Sequence, residues 1–187
     1  MADIIGKVGP CRMTFREADF HSLARSIVFQ QLNGKAATTI FDRLTTAAKA
    51  DPLTPEAILK LRTPKLRAAG LSTQKSSYIR DLAERTRSGD VDFSRLPALD
   101  DDGVIEHLTR VKGVGVWTAQ MILIFALKRA DVLPTADYGI RAAMKLAYGL
   151  AEMPKPVQME TLAAPWRPFR SVACWYLWRS LDGPAGM

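Results

Sequence analysis

Gly113-Val114-Gly115-Val116-Trp117-Thr118-Ala119, followed by Asp137 twenty-two residues beyond the second glycine, is the segment of this chain best suited to do chemistry. A Gly-x-Gly turn permits backbone angles closed to other residues and leaves N–H groups exposed at the start of the next helix. The partial positive charge of that helix end makes the turn a site for an anion such as a phosphate. Arg110 and Lys112 add positive charge beside it, although basic residues at a helix end also complement the dipole. An ordinary turn between two helices, with glycine as the cap, is the other reading of the same residues. Asp137 follows the Leu133-Pro134-Thr135 break. A lone carboxylate there suits an enzyme that grips a nucleic-acid backbone and reacts beside it.

The elements that must hold these residues are helical. Val104, Ile105 and Leu108 lie on one face of a helix before the turn, and Ala119, Ile122, Leu123 and Ala126 on one face of the helix after it. Thr14-x-x-Glu17 reads as a capping box before Phe20, Leu23, Ala24, Ile27 and Val28 at helical spacing. The next helix is expected to start near Lys35. Thr54-Pro55 and Thr63-Pro64 each read as an N-cap followed by proline at the first helical position. Gly70 ends a short helix and Gly89 the longer one carrying Tyr78, Ile79 and Leu82. A last helix after Pro168 carries Val172, Trp175, Tyr176 and Trp178. No stretch alternates with a two-residue period between hairpin turns, so the expected fold is all-α.

Composition bounds the partners. The chain has 187 residues, 48% hydrophobic and 24% charged, with a net charge of +7 that favours a polyanionic partner. Its longest apolar stretch, Met121 to Leu127, is too short to span a bilayer, and no apolar signal-peptide core opens the chain, so a cytoplasmic protein with no membrane partner is expected. The two cysteines, Cys11 and Cys174, form no Cys-x-x-Cys pair, and His21 and His107 lack ligand neighbours at useful spacing. Neither zinc nor an iron–sulfur cluster is therefore expected, and both cysteines read as reduced thiols packed as small apolar side chains.

Four stretches, in order, carry a family resemblance: Ile27-Val28-Phe29-Gln30-Gln31-Leu32 with Lys35-Ala36-Ala37; Gly70-Leu71-Ser72-x-x-Lys75-x-x-Tyr78-Ile79; the hairpin from Val111 to Ala119; and Leu133-Pro134-Thr135-Ala136-Asp137-Tyr138. A closing Trp166-Arg167-Pro168-Phe169-Arg170-Ser171 with Tyr176-Leu177-Trp178-Arg179 joins them. Over roughly residues 14 to 180 the chain resembles the helix–hairpin–helix DNA glycosylases, in their alkylpurine (3-methyladenine) branch.

The resemblance implies a two-lobed fold with the active site in the cleft between lobes. One lobe, about residues 20–132, would be a six-helix barrel containing the hairpin (about 104–127). The other would combine 1–19 with 133–187. It implies a monomeric, monofunctional enzyme that flips alkylated purines of the 3-methyladenine and 7-methylguanine class out of duplex DNA and hydrolyses their N-glycosidic bonds in base excision repair. Asp137 matches the catalytic aspartate; it also reads as the N-cap of the following helix, and capping would orient the carboxylate. Lys112, Gly113, Val114, Gly115 and Val116 match the DNA-binding hairpin, with lysine where the family commonly has proline. The family's hairpin carbonyls commonly hold a monovalent cation, Na+ or K+, and no other cofactor is implied. Trp117 occupies the position of the Schiff-base lysine of bifunctional relatives and cannot form an imine. It reads either as a surface stacking on the flipped base or as core, and Tyr138 and Trp178 carry the same two readings. Trp166 and Trp175 read as core. Gln31 or Leu32 is the wedge that fills the gap left by the flipped base, against a polar helix end packing locally; Lys35 either reaches phosphate or is solvated. Two alternatives stand beside this: a non-catalytic DNA-binding repair module, and a glycosylase for 1-methyladenine, hypoxanthine or ethenoadenine.

Overall fold

The computed structural model describes residues 1–182, and among these the regular structure is helical throughout. Eleven α-helices follow one another: α1 Ala2–Val8, α2 Phe20–Phe29, α3 Gly34–Ala48, α4 Pro55–Lys60, α5 Thr63–Ala68, α6 Thr73–Ser88, α7 Asp101–Thr109, α8 Val116–Phe125, α9 Tyr138–Ala147, α10 Pro156–Ala163 and α11 Arg170–Leu181. Short 3-10 turns cover Phe93–Ala98 and Ala164–Trp166. No described helix is long and apolar enough to cross a membrane.

Local chemistry explains most of the helix starts. An extended residue with a short polar side chain precedes each of α3, α4, α6, α7 and α9, and its oxygen accepts an N–H of the first turn: Asn33, Thr54, Ser72, Asp100 and Asp137. Two expectations are corrected. The helix expected after Thr14-x-x-Glu17 starts at Phe20, because Asp19 sits directly before the apolar run and accepts from Ser22 N at 2.8 Å. Thr63 is not a cap either; the extended residue is Arg62, and Thr63 is the first residue of α5. Helix α1 had no counterpart in the sequence reading.

Contacts divide the described residues into two compact units: Arg16–Ile122, and Met1–Phe15 together with residues 123–182. The division falls at 15/16 and inside α8, at 122/123. In the Arg16–Ile122 unit, α6 packs against α2, α4 and α5. Leu23, Ile27, Leu44, Ile58, Ile79 and Leu82 are fully buried there, each contributing roughly 1.5–3 kcal/mol.

In the other unit α11 packs on α1 and α9, over a core of Leu133, Ile140, Met144, Met159, Cys174 and Leu177. The segment entering α9 is tied down by Arg170 at the start of α11. Its guanidinium donates to Asp131 Oδ1 at 2.7 Å and Oδ2 at 3.1 Å, to Asp131 O at 2.9 Å and to Glu160 Oε2 at 2.9 Å. Ser171 Oγ accepts from Val132 N and donates to Arg129 O. Arg170 is only 8% exposed, and Arg170→Met removes these donors while Arg167 still holds Asp131 Oδ2 at 2.8 Å, so the loss in urea unfolding should be about 1.5–3 kcal/mol. A loss under 1 kcal/mol, of the size typical of surface pairs, would show the cluster to be only superficial. Cys174 is buried as expected, but Cys11 is exposed, because it lies in the irregular stretch between α1 and α2.

Candidate active site and nucleic-acid interface

The residues singled out in the sequence fall into two groups, one in each unit. In the Arg16–Ile122 unit, the turn between α7 and α8 carries the hairpin. Val111 and Val114 are its buried anchors, 1% and 5% exposed, while Lys112, Gly113, Gly115 and Val116 face solvent. Gly113 has φ +78, and a Cβ there would meet the Tyr78 ring at 2.1 Å, so the residue is demanded twice over. A Cβ on Gly115 would enter open space.

Two of the hairpin's N–H groups are spent internally: Val114 N donates to Val111 O at 3.0 Å, and Lys112 N to Asp81 Oδ2 at 2.9 Å. The donors of Gly115 and Val116, at the head of α8, make no hydrogen bond among the described residues, which is the arrangement that suits a phosphate. The Lys112 ammonium lies 3.6 Å from Asp81 Oδ1.

Asp81 is thus the hairpin's buried anchor. Burial alone would raise its pKa, but the Lys112 N–H and the Arg85 guanidinium outweigh it, holding the carboxyl below its ordinary range. Its contribution is therefore present above the ordinary carboxylate pKa and fades as the pH falls below it. Asp81→Ala leaves the Lys112 N–H without its acceptor and should cost about 1–3 kcal/mol in thermal unfolding at neutral pH. The deficit against the unsubstituted protein should shrink in acid; a constant deficit would mean that lost packing, not the charge, is responsible.

Beside the hairpin lies the turn after α2. Gln31 adopts φ +57 and is exposed, Leu32 is 39% exposed, and both wedge candidates therefore stand at the surface. Gln30 points to the hairpin: its Nε2 donates to Gly113 O at 3.0 Å and lies 3.4 Å from Thr118 Oγ1, linking this turn to the hairpin across 83 residues of sequence. A cavity of about 450 Å³ opens here, lined by Arg16, Arg25, Phe29, Gln30, Trp117 and Met121. Trp117 is 41% exposed on its wall. The Arg25 guanidinium lies 3.8 Å over the Phe29 ring, and Arg16 is half-buried, its pKa lowered first by burial and then by Arg25. Lys35 lies exposed in the first turn of α3.

In the second unit Asp137 caps α9. Its Oδ1 accepts from Ile140 N at 2.7 Å and from the Trp178 indole Nε1 at 3.0 Å, and the residue is 8% exposed. Trp178 is thereby shown as a donor to the carboxylate. It is half-buried, packed on the α9–α11 core with Phe125 at 5.8 Å between ring centroids. Tyr138 is 74% exposed. Trp166 packs on the same core and Trp175 is half-buried. Burial, with the Asp137 charge adding to it, pushes the Cys174 thiol up to about 12. The sulfur near Asp137 therefore stays a neutral thiol. Replacing the indole N–H, as in Trp178→Phe, should slow any reaction that depends on the Asp137 carboxylate about tenfold, the usual weight of a charge-assisted hydrogen bond. Single-turnover kinetics check this; an unchanged rate would make Trp178 packing alone.

Sequence reading passed over Gly139, Gln30, Asp81, Lys75 and Tyr78 as site residues. Gly139 matters because a Cβ there would sit 3.2 Å from both Asp137 Oδ1 and Trp178 Cδ1; the missing side chain lets the indole reach the carboxylate. The local signal was the small residue two places after a capping aspartate. His21 Nδ1 accepts from Leu53 N and His107 Nε2 from Asp92 N, so both rings serve the backbone. Among the described residues no group of three or more His, Cys, Asp or Glu is placed to hold a metal ion.

A helix–hairpin–helix with a buried, capping aspartate beyond it defines a class, and comparison with known proteins agrees. The model of the HhH-GPD superfamily base excision DNA repair proteins matches residues 24–168, and this chain belongs to that family. DNA-3-methyladenine glycosylase 1 of Schizosaccharomyces pombe is 33% identical over 182 residues, 96% of this chain and 80% of the relative. The alkylbase DNA glycosidase-like protein mag2 of the same organism is 30% identical, covering 95% and 86%. Among solved structures, a DNA-3-methyladenine glycosidase from Bacillus halodurans superposes with a TM-score of 0.87 at 36% identity, over 98% of this chain and 85% of that one. The S. pombe 3-methyladenine DNA glycosylase in complex with abasic DNA gives 0.83 at 33%, over 96% and 89%.

Proposed function

We propose that this chain is a monofunctional DNA glycosylase that removes alkylated purines, of the 3-methyladenine and 7-methylguanine class, from duplex DNA. The observation that carries the reading is Asp137: a buried carboxylate, fixed by the Ile140 N–H and the Trp178 indole, in a chain about a third identical to two 3-methyladenine glycosylases over nearly its whole length. The chemistry fits one carboxylate. When the bond between C1′ of the sugar and the base nitrogen breaks, its electron pair leaves with the base and positive charge builds on the sugar. A fixed carboxylate stabilises that charge and can orient or deprotonate the water that adds to C1′. A purine alkylated at N3 or N7 is already cationic and leaves as a neutral base, so the step needs no second carboxyl as general acid.

The hairpin donors of Gly115 and Val116 would hold a DNA phosphate without reading sequence. The Val111 and Gly113 carbonyls, each already directed by a hydrogen bond, are neutral oxygen donors of the kind a monovalent cation takes, and such an ion would add positive charge beside the phosphate. Gln31 or Leu32 would fill the gap left by the flipped base, and Trp117 would stack on it. With tryptophan at position 117 the product is an abasic site and no strand is cut. The protein would act as a monomer, in the cytoplasm, on nucleoid DNA.

The test is release of 3-methyladenine or 7-methylguanine from methylated duplex by purified protein. DNA binding without release would instead make this a non-catalytic repair module, and borohydride trapping of a covalent DNA adduct would overturn the assignment to Trp117. A second reading rests on the cavity wall. Arg16 and Arg25 line the same cavity as Trp117, and their donors suit a neutral purine with a ring carbonyl, such as hypoxanthine, better than a cationic one. A panel of defined lesion duplexes ranks the two.

A further inference from the structure

We propose that one side of α6 sets the register between the turn at Gln30–Leu32 and the phosphate-gripping hairpin, with Lys75 as the positioning residue for the turn. The inference rests on reading that turn as the element that fills the gap in the base stack. Three residues at three-residue spacing carry it. Lys75 Nζ donates to Val28 O at 2.6 Å and to Gln30 O at 2.5 Å. Tyr78 lays its ring in the space that a side chain on Gly113 would occupy. Asp81 accepts the Lys112 N–H at 2.9 Å. One rigid helix therefore touches both DNA-facing elements, and Gln30 closes the figure by donating to Gly113 O.

The turn needs outside support. Its helix, α2, has no basic residue in its last turn, so the negative end of the dipole and its unpaired carbonyls must be satisfied from elsewhere. Gln31, immediately beyond, holds a left-handed backbone angle that a residue with a side chain adopts only under constraint. Lys75 supplies both needs from another helix: an ammonium over the carbonyls on either side of the residue where α2 ends. Burial lowers its pKa, in keeping with an amine turned toward the protein. Filling a stack gap demands a side chain held firmly against the duplex while the hairpin holds a phosphate at a fixed distance. A helix bonded to both is the part that transmits that demand.

The test compares Lys75→Met, Lys75→Arg and the unsubstituted protein in single-turnover excision of 7-methylguanine, placed opposite cytosine and opposite an abasic-site analogue. A base without a partner is cheaper to flip, so a defect confined to the turn shows on the paired duplex. Lys75→Met should slow the paired substrate about tenfold more than the unpaired one, leave affinity for undamaged duplex and its salt dependence unchanged, and be largely rescued by Lys75→Arg. Equal slowing on both duplexes would reduce Lys75 to general scaffolding. Weaker binding of undamaged DNA with a shallower salt slope would make it a phosphate contact instead. Either result overturns the proposal. If Lys75→Met melts at assay temperature, Lys75→Gln, which retains one amide donor group, is read the same way. Gln31→Ala and Leu32→Ala test the gap-filling reading separately: if neither slows the paired substrate selectively, that reading falls. Should the unsubstituted protein release no base at all, the glycosylase reading fails, and Lys75 is judged by 2-aminopurine fluorescence in the duplex, which Lys75→Met should diminish.

Discussion

Asp137→Asn should reduce base release by about a thousandfold or more, the scale on which a preorganised charge acts at a developing cation. The substitution isolates charge from structure. Asparagine is as good an N-cap as aspartate, so its side-chain oxygen can still accept from Ile140 N and from the Trp178 indole, both of which use one oxygen, Oδ1. Helix α9 should keep its start, the thermal midpoint should hold, and affinity for duplex carrying an abasic-site analogue should change by no more than a few-fold. What is lost is the negative charge that, in the proposed function, steadies the sugar as the glycosidic bond opens. Measured release from methylated DNA, set against binding of the analogue by fluorescence anisotropy, separates the two effects. Equal release by the variant removes Asp137 from the chemistry. Loss of binding together with release would make it a structural cap.

The second large effect is at the hairpin. Gly113→Ala must place a methyl group where the Tyr78 ring stands, 2.1–2.2 Å from two of its carbons, at a φ of +78. The left-handed angle alone costs an alanine about 1–2 kcal/mol, and the collision adds to it because ring or hairpin must move to relieve it. The hairpin should shift, with undamaged-duplex affinity falling about a hundredfold as phosphate contacts misalign. Tyr78→Ala in the same chain should restore part of the stability by removing the collision, but not the part due to φ. Gly115→Ala is the informative partner, since its Cβ would meet nothing within 4 Å. That variant should fold and melt normally yet bind duplex more weakly, because in the proposed function the added methyl would stand where a phosphate approaches. Native affinity in Gly115→Ala would show that the backbone of this turn is not the DNA contact.

Much of this was legible in the chain because it is local. A capping oxygen and the N–H it satisfies lie three residues apart, so Thr54 and Asp137 announce α4 and α9 without help from the rest of the protein. The Gly-x-Gly turn and the carboxylate beyond it are short-range patterns of the same kind. The two errors of local reading had local causes as well: Thr14-x-x-Glu17 has the spacing of a capping box but its threonine lies six residues before Phe20, where Asp19 is the better placed acceptor, and Thr63 precedes a proline without being the residue that leaves the helix.

What the tertiary structure alone decided involves partners far apart in sequence. Trp178 and Asp137 meet across 41 residues, Gln30 and Gly113 across 83, Lys75 and the end of α2 across more than 40. Periodicity tells which face of a helix is apolar, not which helix it will meet or where a polar side chain at the edge of that face will end. So the sequence by itself determined an all-helical chain with a glycine hairpin and one well-placed carboxylate. The packing of α6 and α11 decided that Tyr78 makes Gly113 obligatory, that Trp178 serves the carboxylate with its N–H, and that the turn at Gln31 is held from another helix. The physical reason is that a cap is satisfied within one turn of chain, whereas a hydrogen bond between elements exists only after burial of their apolar faces has brought them together.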